Sequence, residues 1–152
     1  MRLLLLILLL LSGYLEAKEV VLAKVKPGGS TDAAFNLYTM YFELKTNVSV
    51  ARVPIVFANL PRGMSGVCLR WTNGRRKILV DKHIWYKMFT FEQKMQLIWH
   101  ELGHCRLEIK HSHKVGTDGC PTSLMYTHAI SQKCSKKWAK VYLKRFLTGE
   151  GE

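Results

Sequence analysis

Carboxylates are scarce in this chain: 11 Asp and Glu stand against 23 Lys and Arg, a formal charge of +12 over 152 residues. Such a balance favours acidic partners, whether anionic lipid, cell-wall polymer, nucleic acid or acidic substrate, and leaves the chemistry open. No CxxC pair occurs, which excludes a four-cysteine zinc ribbon. No apolar run approaches the roughly 20 residues of a membrane span, and the longest, residues 3–11, is too short. Internal repeats, low-complexity tracts and linkers are also lacking. Residues 18–152 therefore read as one domain, large enough to bury a core.

What precedes that domain has the three parts of a secretory signal: Arg2, the apolar run, then small and polar residues. Residues 1–17 are expected to be removed after Ala17. Arg2 and Glu16 leave together, one charge of each sign, so the mature charge stays +12. Tyr14 in "LLSGY" stands where a bacterial lipoprotein carries its lipid-bearing cysteine, so no thioether anchor is expected. The implied location is secreted or periplasmic, where disulfides persist. Cys68, Cys105, Cys120 and Cys134 allow three pairings. Cys120–Cys134 is slightly favoured, because those two bracket a loop of interest below, and Cys68 and Cys105 either pair or stay as buried thiols.

The pattern predicts helix, strand, strand, strand, helix, loop and helix. Ser30, Thr31 and Asp32 form a cap cluster ahead of a helix that ends near Lys45. "VPIVFANLP" reads as a strand, and "GVCLRW" and "RKILVDKHIW" as two strands around an Asn73-Gly74 turn. Thr90 and Gln93 make a capping box for the next helix. Residues 112–130 read as loop and residues 131–147 as a basic helix. The fold class is α+β: a small sheet with an antiparallel hairpin, packed on the central helix, and a C-terminal helix.

That central helix carries "HELGH". At about 100° per residue, Phe91, Met95, Ile98, Leu102, Cys105 and Ile109 share one stripe. His100 and His104 project from roughly the other side, with Glu101 on the flank. Histidines serving a core would sit among the apolar residues, and these do not. Two imidazoles one turn apart can reach a single metal, and neutral imidazole suits Zn²⁺. Zinc makes water acidic enough to act as a nucleophile at neutral pH, with Glu101 placed to take its proton.

A catalytic zinc usually has a third protein ligand. His111 leads, with His113 and Asp118 as alternatives. On a continued helix His111 would lie about 10 Å beyond His104, so the chain must leave the helix soon after His104 and fold back. A glutamate ligand from a later helix, as in thermolysin-like enzymes, is nearly excluded, because only Glu150 and Glu152 follow Glu108.

"HELGHCRLEIKH" followed by "CPTSLMYTH" resembles the metzincin clan of zinc endopeptidases, in which a methionine-bearing turn lies beneath the metal. The resemblance is closer to small exported bacterial proteins grouped as metallopeptidases, which share HELGHC, a histidine at this longer spacing and S-x-M. It covers about residues 53–126. It implies a minimal zincin or metzincin-like domain in which His100, His104 and His111 hold Zn²⁺, Glu101 is the catalytic base and Met125 floors the site. The sequence departs from the clan in two respects: no glycine falls between Gly103 and Gly116, and the third histidine comes one residue late. Tyr126 is given no catalytic role.

The expected function is hydrolysis of a peptide or protein substrate by a monomeric zinc metallopeptidase. In zincins an edge strand beside the metal helix binds extended substrate, a role open to the 70–85 region. Another reading is a non-catalytic cationic exported protein with structural or no zinc. Its basic C-terminal helix, carrying Lys136, Lys137, Lys140, Lys144 and Arg145 around Trp138, Val141, Tyr142 and Phe146, would bind lipid or cell wall. No nucleic-acid partner is expected.

Overall fold

The computed structural model describes residues 29–87 and 90–149, with the side chains of 137–140 left aside. The expected signal, residues 1–17, lies outside them, as does the side chain of Trp138.

A 3₁₀ turn, Ala33–Phe35, leads into helix α1, Asn36–Thr46. The cap cluster does something other than cap. Thr31 Oγ1 accepts the Ile55 amide (3.2 Å) and Asp32 Oδ2 the Phe57 amide (2.9 Å), so both side chains serve the neighbouring strand. That strand is β1, Ile55–Ala58; β2, Gly66–Arg70, and β3, Arg76–Asp81, follow. The order is β1-β3-β2, with β1 parallel and β2 antiparallel to β3, which makes a small α+β domain.

The hairpin between β2 and β3 is a three-residue loop. The Gly74 amide bonds the Trp71 carbonyl (3.0 Å), the Trp71 amide bonds the Arg75 carbonyl (2.9 Å), and Gly74 takes the left-handed position at φ +79°. The "RKILVDKHIW" strand stops early, and Lys82–Lys87 is a short helix, α2. Asp81 is the cause: Oδ1 accepts the Ile84 amide (2.9 Å) as an N-cap would, and Oδ2 accepts the Leu60 amide (3.0 Å).

The central helix α3, Phe91–Arg106, starts in the expected capping box, with Thr90 and Gln93 bonding reciprocally at 3.4 and 3.2 Å. The apolar stripe holds only in part. Ile98, Leu102 and Cys105 are fully buried, but Phe91 is 52 % exposed. Trp99, outside the stripe, is buried among Phe42, Tyr41 and Phe146 at ring separations of 5.0 to 5.7 Å. Packed by the sheet on one side and by α1 and the last helix on another, α3 has only a narrow strip left for a cleft. The last helix, α4, spans Gln132–Thr148 and begins at Ser131, whose hydroxyl accepts the Cys134 amide. Tyr142 and Phe146 are buried as its stripe requires.

Candidate metal centre

His100 and His104 stand one turn apart on α3, and His111 comes back to them from the following segment. Their Nε2 atoms form a triangle with edges of 3.1, 3.2 and 3.0 Å. Among the described residues this is the group that could bind a metal ion. The alternatives sit elsewhere. His113 Nδ1 is 2.7 Å from the Thr127 hydroxyl, and Asp118 Oδ1 accepts the Cys120 amide (3.0 Å).

Seven residues cannot be spanned on a continuous helix, and the chain breaks where it must. The amides of Leu107 and Ile109 both donate to the Gly103 carbonyl (3.2 and 3.1 Å), and Glu108 takes the left-handed conformation at φ +57°. Glycine is the usual occupant of such a position. Here Arg76 of β3 holds the turn instead, donating to the Cys105 carbonyl and pairing with Glu108 at 2.5 Å. Beyond the turn the Ser112 amide bonds the Met125 carbonyl (2.9 Å), which fixes His111 over the helix.

Backbone carbonyls set the tautomers. His100 Nδ1 is 2.8 Å from the Leu124 oxygen, and His104 Nδ1 is 2.6 Å from the Ile109 oxygen. A carbonyl only accepts, so both Nδ1 atoms carry the proton and both Nε2 atoms present lone pairs. Lone pairs facing each other at 3.1 Å repel, and a cation between them removes the repulsion. Burial acts in the same direction. It lowers His100 to about 4, with its histidine neighbours adding to the effect, and it also lowers His104 and His111. Neutral rings are the form that ligates.

Glu101, next to His100, is only 5 % exposed. Burial pushes its carboxyl up to about 8, against the opposing effect of the Cys68 amide, which donates to it. Gly66 makes the space: a Cβ there would lie 3.0 Å from Glu101 Oε1 and 3.0 Å from Leu97 Cδ1. Gly66 was not singled out from the sequence, although a glycine opening a strand is a recognised sign of close approach.

Met125 is fully buried against Gly103, and its amide bonds the Ser123 hydroxyl at 3.0 Å. Leu124, also missed by the sequence reading, contributes the carbonyl that orients His100. Both disulfides form. Cys68–Cys105 ties β2 to α3, and Cys120–Cys134 ties the methionine loop to α4. Arg145, one of the basic residues of the C-terminal helix, donates to the Thr122 carbonyl (3.0 Å) and anchors the same loop. The three histidines and Glu101 open on a cleft of about 730 Å³ walled by β2, α3 and the 124–130 segment.

No protein-family profile, curated protein or solved structure matches this chain.

Proposed function

We propose that this protein is an exported zinc-dependent metallopeptidase, with His100, His104 and His111 as ligands and Glu101 as general base. The observation that carries this reading is the set of three converging Nε2 atoms with a buried carboxyl beside them, all on one cleft. Tetrahedral ligands at about 2.1 Å from zinc stand roughly 3.4 Å apart. The edges of 3.0 to 3.2 Å need only a few tenths of adjustment. Three protein ligands leave a fourth position free, as catalytic zinc requires.

Bound zinc supplies Lewis acidity to water and to a substrate carbonyl. The remaining work belongs to the chain. Glu101 takes the proton of the attacking water and passes it to the leaving amine. Glu101, raised to about 8 by burial, would ionise more readily beside a dication held by the three histidines, which would supply the positive charge that favours its carboxylate form. The carbonyls of Leu124 and Ile109 keep two ligand rings in register.

The edge of β2 suits an extended peptide. Bonded pairs at Ser65–Asp81 and Trp71–Arg75 bracket the ladder, so the backbones of Gly66, Cys68 and Arg70 face outward. The Cys68 amide is used by Glu101, and the other groups are available for strand addition.

The test is elemental analysis of protein purified without chelators, comparing wild type, His111→Ala and His113→Ala. About one zinc per chain is expected in wild type and in His113→Ala, with most of it lost in His111→Ala. Zinc-loaded wild type should then cut peptides in a screen where Glu101→Gln is inert. Wild type without zinc would overturn the reading and favour a cationic binding protein.

A further inference from the structure

The cleft has two unlike ends. Gly66 abuts Leu97 and Glu101 while Cys68 is bonded to Cys105, so β2 and α3 run the same way along it. At the start lie Met64, Leu97 and Ile130 with the neutral polar residues Ser65, Gln93 and Gln96, and Gln93 Nε2 donates to the Ile130 carbonyl (3.1 Å). At the far end lie Arg70, close enough to His104 to influence its charge, and Lys110, between the residue that orients His104 and the ligand His111. Both side chains are exposed. Among the described residues Glu101 is the only carboxylate on the cleft wall, and it is enclosed.

The placement of Arg70 is costly for the fold. It sits directly opposite Arg76 across the β2–β3 ladder, and like charges so placed destabilise a sheet. Arg76 is compensated by Glu108 and the Cys105 carbonyl. Neither Arg70 nor Lys110 takes part in an ion pair among the described residues. Two uncompensated cations thus face one end of a cleft whose other end carries no charged side chain among the described residues.

We propose that Arg70 and Lys110 form a carboxylate subsite at the His104 end of the cleft, so that the protein prefers peptides bearing a carboxylate there. This rests on the metallopeptidase reading for what happens to the peptide. The planar guanidinium can grip a carboxylate through paired bonds, and the ammonium adds a flexible point charge. The carboxylate comes from an Asp or Glu side chain or from a free C-terminus.

Binding tests this without relying on cleavage. Zinc-loaded Glu101→Gln protein is titrated with fluorescent peptides in matched sets: Asp or Glu against Asn or Gln, and free against amidated C-termini. Acidic peptides should bind about tenfold tighter than their neutral isosteres. Arg70→Gln with Lys110→Gln in that background should abolish the preference, and Arg70→Glu with Lys110→Glu should reverse it towards lysine peptides. Circular dichroism and zinc content establish that each variant is folded and loaded.

Loss of the preference on amidation assigns it to the C-terminus; loss on Asp→Asn assigns it to a side chain. Equal binding of acidic and neutral peptides, or a preference that survives charge reversal, overturns the subsite. Cleavage by the parent protein separates the two ideas. Charge-selective binding with no peptide cut leaves the subsite standing and the peptidase reading fallen, whereas cutting without charge preference does the opposite.

Discussion

Gly103 and Met125 meet without room for a side chain between them: a Cβ on Gly103 would lie 2.7 Å from the Met125 sulfur. The glycine of "HELGH" is thereby coupled to the methionine turn, whose neighbouring carbonyl, that of Leu124, orients His100. The helix and the loop under the three histidines are fitted to each other at this contact.

Gly103→Ala measures the fit. Alanine improves helix propensity by up to about 1 kcal/mol. The clash involves a fully buried methionine and the Phe146 ring, which is 3.1 Å from the same Cβ position, and overpacking of this kind costs about 1–3 kcal/mol. A net loss of about 1 kcal/mol in urea unfolding is expected, together with weaker metal binding. Unchanged stability would mean that the turn yields freely.

Metal binding at neutral pH should release about one proton, and Glu101 should be its main source. The histidines are held below their ordinary range and are already neutral, whereas Glu101, near 8, keeps its proton until a cation arrives. Calorimetric titration with zinc in buffers of different ionisation enthalpy counts the protons. Equal release from wild type and Glu101→Gln would contradict this assignment.

Without metal, the two groups give stability opposite pH dependences. The His100 contribution is present above 6.5 and is lost as pH falls through about 4. The Glu101 contribution is fully present below 4.5 and is lost as pH rises through about 8. Between 6.5 and 8 Glu101 dominates, so the metal-free protein should lose about 1–2 kcal/mol across that window. Guanidinium unfolding at both ends of the window should show the loss in wild type and a flat profile in Glu101→Gln.

Glu108 separates backbone strain from charge. Glu108→Gly relieves a left-handed residue, worth about 1 kcal/mol, and removes an ion pair of up to about 1 kcal/mol in which Glu108 itself is 60 % exposed. The two nearly cancel, so thermal unfolding within about 0.5 kcal/mol of wild type is expected. Glu108→Val loses the pair and adds β-branching at positive φ, and should cost about 2 kcal/mol or more. Similar results for both variants would mean that the turn is not strained.

Much of the architecture was legible from local signals. The Thr90–Gln93 box, the Asn73-Gly74 loop and Ser131 ahead of α4 each depend on residues a few positions apart. The misreadings came from long-range demands on the same residues. Thr31 and Asp32 look like a helix cap but satisfy β1, because an edge strand has amides to bond. Asp81 looks like a strand residue, yet its two oxygens end the strand and start α2. Trp99 falls off the single apolar stripe because α3 is covered on more than one side.

The sequence by itself determined the chemistry available: two imidazoles one helical turn apart, a carboxyl beside the first, and a third histidine that could join them only if the helix broke. Helical geometry makes that requirement unavoidable, whatever the rest of the fold. Only the tertiary structure decided how the break is made without glycine, since Arg76 reaches Glu108 and the Cys105 carbonyl from a strand 29 or more residues away in sequence. It also decided which nitrogens face inward, through the carbonyls of Leu124 and Ile109, and how Glu101 is buried, through the space left at Gly66. Tautomer and burial depend on which backbone atoms and side chains come within a few ångströms, and a linear pattern does not carry those distances.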